Sequence, residues 1–88
     1  MMVDITAETL RRVEAAEAFL RDLGFREFRV HHHDTLARLE IPRAEVARLW
    51  EDGRHERIVA RFREIGYHYV AVDLQGSNDG PNQTQPAA

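Results

Sequence analysis

Three consecutive histidines, His31, His32 and His33, are the residues of this 88-residue chain whose chemistry first needs an account. On a strand, successive side chains alternate between faces, so His31 and His33 project together and His32 projects the other way. Two imidazoles on one side are short of the three protein ligands of a usual catalytic zinc site, and Glu40 or His68 would have to join them. The competing reading is a polar sheet surface facing solvent or another subunit, with His32 partly covered. Arg29, Arg38 and Glu40 fall on the same polar side. Their guanidinium groups offer planar bidentate donors to an anion or to another subunit; the plainer alternative is a cross-strand ion pair worth well under ~1 kcal/mol. Asp73 has the chemistry of a general base, although a lone carboxylate at a strand end serves equally as a cap or a solvated terminus. His55 sits among charged residues and reads as solvated.

Nucleophilic catalysis finds little support. The chain has no cysteine, hence no thiol nucleophile, thiolate zinc site or disulfide, and its single serine, Ser77, lies in a polar tail. Neither usual pattern of glycine-rich phosphate loop is present. No enzyme activity and no cofactor are expected.

The elements that must position these residues are legible from periodicity. Thr6 is an N-cap candidate, with Glu8 near the positive end of the helix dipole. Leu10, Val13, Ala16, Leu20 and Leu23 then recur at spacings of three and four. Gly24 supplies a left-handed closing residue, and a helix is expected over 6–23. Phe25 to Ile41 reads as a hairpin around His33-Asp34-Thr35: Phe28, Val30 and His32 on one face with Ala37, Leu39 and Ile41, and Arg29, His31 and His33 on the other with Arg38 and Glu40. The bend has no glycine, so the loop is expected to exceed two residues. A short helix with Val46, Ala47, Leu49 and Trp50 on its apolar side follows Pro42, and Asp52-Gly53 interrupts it. A second long helix carries Ile58, Val59, Phe62 and Ile65 inward and closes at Gly66. The basic residues along it, Arg54 to Arg63, are interspersed with Glu56 and Glu64 and read as a solvated face. The last strand is expected over 67–74, with His68, Val70, Val72 and Leu74 alternating against Tyr67, Tyr69, Ala71 and Asp73.

The order helix, strand, strand, helix, helix, strand predicts one α+β domain over 1–76. It is expected as a small split βαβ arrangement, a three-stranded antiparallel sheet in order 2-1-3 with the helices on one face. A disordered polar tail is expected over 77–88. A domain of this size buries only about 60 per cent of its unfolded surface, and its open sheet edges favour a homo-oligomer. The net charge of −3 gives no footprint for nucleic acid. No apolar run approaches the roughly 18 residues of a membrane span, and the start lacks a signal-peptide pattern, so a cytoplasmic protein is expected.

Taken together, TAETLRRVEAAEAFLRDLGF, FRVHHHDTLARLEI and REIGYHYVAVDLQG resemble the C-terminal domain of the ATP-dependent sacrificial sulfur transferases. These are the PP-loop ATP pyrophosphatase relatives that mature the nickel-pincer cofactor of lactate racemase. The resemblance runs from about Thr6 to Gly76 and is carried above all by ARLE at Ala37–Glu40 and VDLQG at Val72–Gly76. It implies an accessory or assembly module without the phosphate loop and sacrificial cysteine, working with a separately encoded PP-loop ATP pyrophosphatase. Arg29 matches the first arginine of the family's Arg-Val-Arg anion-binding segment, while His31 replaces the second. Glu17 matches a glutamate at the family's metal-linked subunit interface. The candidate sites are therefore Arg29 and Arg38 for an anion, and Glu17, His31 and His33 for a metal. A small anion- or metal-binding protein using the hairpin's polar face is the alternative function.

Overall fold

In the computed structural model, which describes residues 6–76, α1 spans Ala7–Asp22 and starts where the Thr6 hydroxyl accepts a hydrogen bond from the Thr9 amide at 3.0 Å. Its end is a Schellman closure: the Gly24 amide donates to the Arg21 carbonyl and the Phe25 amide to that of Leu20, with Gly24 at φ +101°. The carbonyls just past α1 receive side-chain donors, Arg48 reaching that of Gly24 and Arg54 that of Leu23. The second long helix, α3 at Arg54–Ile65, ends by the same device. Gly66 lies at φ +133° and the Tyr67 amide donates to Phe62. In both closures the aromatic that follows the glycine turns into the core, and Phe25 and Tyr67 are fully buried.

Between the long helices lie β1 at Arg29–His33, β2 at Leu36–Glu40, the short helix α2 at Arg43–Val46 and a 3-10 segment at Ala47–Gly53. Asp52 and Gly53, both with positive φ, break the helical path at the interruption expected there. The turn between β1 and β2 has two residues, not more, because Asp34 itself adopts a left-handed conformation at φ +58° and lets His33 pair with Leu36.

The antiparallel 2-1-3 sheet is corrected. The strands β1, β2 and β3 (Tyr69–Val72) lie in order 1-2-3, with β1 antiparallel to β2 and β3 parallel to β2. The sheet is mixed, and no strand separates the two parallel ones. The helices that follow β2 carry the chain back to lie directly beside it, the ordinary outcome of a strand–helix–strand connection. The central strand must be apolar at each core-facing position, and Ala37 and Leu39 are both buried there. Core-facing His32 is only half-buried, which an outer strand tolerates. The last strand is also shorter than expected, and Tyr67 precedes it, so it does not sit on the polar face with Tyr69.

Both long helices cover one face of the sheet, where Val30, Ala37 and Leu39 meet Ala16, Leu20, Ile58 and Phe62. Several expected core residues lie nearer solvent: Leu10 in the first turns of α1, Trp50 at 62% exposure, Val59 on α3 and Leu74 just past β3. None of the described helices is long and apolar enough to cross a membrane. The polar tail expected over 77–88 lies outside the described residues.

Candidate functional site

The face of the sheet that no described helix covers carries the hairpin residues singled out above. Strand alternation brings Arg29, His31 and His33 of β1 to this face with Leu36, Arg38 and Glu40 of β2, and Tyr69 and Ala71 of β3 follow on the far side. His31 stands opposite Arg38 in register, yet its Nε2 lies 2.7 Å from Oε1 of Glu40, a diagonal contact along the polar surface. Arg38 turns toward the other neighbour: Nη1 donates to Oδ2 of Asp73 at 2.8 Å, and Nε approaches His33 Nε2 at 3.5 Å. Arg29 is exposed and makes no hydrogen bond or ion pair among the described residues.

The two arginines expected to share an anion are thus unequal. Arg38 is held by a carboxylate, at about a third exposure of its side chain, whereas the Arg29 guanidinium has no partner among the described residues. The expected metal ligands are also divided by the sheet. His31 and His33 face the open side, while Glu17 belongs to α1, which packs on the opposite side. Among the described residues no group of three His, Cys, Asp or Glu side chains is arranged to hold a metal ion.

Asp73 has two tasks. One carboxylate oxygen accepts from Arg38, and the other accepts from the Gln75 amide at 3.0 Å to form a side-chain-closed turn. The chain then reaches Gly76 at φ +73°, where an added Cβ would stand 3.0 Å from the Ile41 carbonyl oxygen and 3.1 Å from the Arg43 amide. ARLE in β2 and VDLQG, which begins with the last residue of the parallel β3 and continues into the turn after it, are therefore joined by the Arg38–Asp73 pair.

Periodicity did not bring out a further polar pair. Nδ1 of His32 and the Tyr67 hydroxyl lie 2.8 Å apart, with their rings edge to face at 5.5 Å. Arg12 lies over the Tyr67 ring at 5.8 Å, and Phe62 packs beside it. Burial pushes the Tyr67 hydroxyl above its ordinary value, opposed in part by the Arg12 charge. The available signal was the repeated helix ending, Leu23-Gly24-Phe25 and Ile65-Gly66-Tyr67, in which the residue after the glycine packs back on its own helix.

A pyridinium-3,5-bisthiocarboxylic acid mononucleotide synthase of Lactiplantibacillus plantarum is 34% identical to this chain over 76 residues, which are 86% of the chain and 27% of that protein. The match supports the sacrificial sulfur transferase family. An uncharacterized protein of Synechocystis sp. is 38% identical over 77 residues, covering 88% of this chain and 29% of its own length. The chain thus spans under a third of each of these relatives. No family model matches it.

Proposed function

We propose that this chain is a non-catalytic accessory module, equivalent to the C-terminal domain of the sacrificial sulfur transferases, that assembles with a separately encoded PP-loop ATP pyrophosphatase. The observation that carries the reading is the joining of ARLE to VDLQG. The segments behind the resemblance form one connected unit, through Arg38, Asp73 and the close approach of Gly76 to β2's exit, and the similarity to the synthase spans that unit. The 88 residues contain neither a cysteine to give up sulfur nor a glycine-rich loop to hold ATP phosphates, and in this reading both tasks belong to the partner. Tagged protein recovered from its native host is expected to bring a PP-loop protein with it in a defined ratio; recovery of this chain without one would reject the reading.

A second reading has a specific observation behind it. The guanidinium of Arg29, unengaged among the described residues and beside the His31–Glu40 pair, suits a phosphate or carboxylate arriving on the open face. The relative's name specifies a mononucleotide, so a mononucleotide is the probe to use, with nickel and zinc in parallel. Saturable shifts of the His31 and His33 ring resonances are expected if the face binds an anion or a metal, and their absence removes this reading.

A further inference from the structure

The two open edges of the sheet differ in chemistry. On β1 the outer edge runs past Arg29 and three histidines, charged or ionisable groups of the kind that guard an edge against pairing. The outer edge of β3 is Tyr69-Val70-Ala71-Val72, with no charged side chain. The amides of Tyr69 and Asp73 point inward, to the carbonyls of Thr35 and Leu39 at 3.1 and 2.9 Å. By alternation, Val70 and Val72 direct their N–H and C=O groups outward, where no described strand receives them.

An apolar groove flanks that same edge. It has a volume of about 110 Å³ and is lined by Val70 and Val72 on the sheet, by Trp50, Ile58 and Val59 on the helical side, and by His55, whose ring lies 4.5 Å from that of Trp50. Trp50 and Val59 are 62% and 38% exposed. The helical layer therefore stops short of covering β3.

We propose that the β3 edge and this groove form a self-association surface, on which a second copy of the chain pairs its own β3 antiparallel about a two-fold axis through Ala71. This axis lies perpendicular to the sheet, so the helices of both copies remain on one face and the three-stranded sheets become one six-stranded sheet. Val70 then stands opposite Val72 of the second copy. Both have outward-facing main-chain groups, so the two symmetric Val70–Val72 pairs supply four main-chain hydrogen bonds. Their side chains fall on the core face, closing the two grooves against each other beneath Trp50. On the open face, Tyr69 stands opposite Asp73 of the second copy, a hydroxyl donor facing a carboxylate. A second copy fits because β3 already has what its partner strand requires: an uncharged edge, apolar residues at matching alternate positions, and a donor and acceptor at opposite ends.

This inference goes beyond the assembly reading above, whose partner is a different protein, and the test separates the two. The full chain is studied by sedimentation equilibrium as wild type and as Ala71→Lys, which sets two like charges face to face on the axis. Wild type is expected as a dimer, and Ala71→Lys is expected to raise its dissociation constant at least about tenfold. The chain contains no cysteine, so Ala71→Cys introduces a unique thiol. At a non-hydrogen-bonded antiparallel pair the two Cα atoms lie about 4.5 Å apart, within disulfide range. Under mild oxidant, Ala71→Cys is expected to cross-link at least about tenfold faster than the exposed control Ala18→Cys. Cross-linking no faster than the control, or an oligomer unaffected by Ala71→Lys, would overturn the β3 surface while leaving assembly elsewhere in place. A wild-type monomer at every concentration would overturn the self-association surface, and co-purification of a PP-loop partner would still stand or fall separately.

Discussion

Replacing Tyr67 by Phe removes one oxygen from the centre of the fold and leaves the ring where it packs. The ring is fully buried against Phe62 at 6.1 Å and under Arg12 at 5.8 Å, and those contacts persist in Phe. What disappears is the 2.8 Å hydrogen bond to His32 Nδ1. A typical intramolecular hydrogen bond contributes about 0.5–1.5 kcal/mol net, and a partner left buried and unpaired costs more. His32 is only half-buried, so its nitrogen can be solvated once the hydroxyl is gone, and the loss is expected near the middle of that range, about 1 kcal/mol. For a domain of this size that corresponds to a fall in Tm of about 4–8 °C. Urea unfolding followed by far-UV circular dichroism is the assay, with the slope unchanged and the midpoint lowered. The substitution carries a pH signature as well. Burial raises the hydroxyl's pKa in the folded state, so its contribution is fully present below the ordinary tyrosine value near 10 and is lost as pH rises through the folded value. Wild type is therefore expected to lose stability above about pH 10 more steeply than Tyr67→Phe. An unchanged or raised urea midpoint for the variant, or identical alkaline behaviour of the two proteins, would refute the assignment of a structural hydrogen bond to this pair.

Three further outcomes are expected. Gly76→Ala should destabilise by about 1–2 kcal/mol in urea titration, from the left-handed backbone alone, with the close approach to Ile41 and Arg43 adding to it. A double-mutant cycle on Arg38→Met and Asp73→Asn should give a coupling energy of at most about 1 kcal/mol, because the pair is partly exposed, and added salt should weaken it. In the first turn of α1, hydrogen bonds from Arg12 and Arg11 hold the Glu8 carboxyl below its ordinary value. Its contribution is present above the unfolded carboxylate range and is lost as pH falls through the folded value. Glu8→Gln should accordingly flatten the acid side of the thermal stability profile measured by circular dichroism.

The sequence by itself determined what depends on neighbours along the chain. Thr6 capping α1, Gly24 and Gly66 ending the helices, the break at Asp52-Gly53 and the two faces of the hairpin all follow from local backbone preferences and from the periods 3.6 and 2. Alternation likewise placed Arg29, His31, His33, Arg38 and Glu40 on one polar face. Tertiary structure decided the rest. Which strand β3 joins depends on the burial available to each strand, and the pattern of β3 suits either neighbour. The choice of β2 put Asp73 beside Arg38, while Arg29 has no such partner among the described residues. Tyr67 looked like one more alternating strand residue, but the Gly66 closure turns it inward before the strand begins, to meet a histidine 35 positions earlier. Local periodicity reports which face a side chain takes once its element is placed; side-chain partners so far apart in sequence are set only when the elements pack.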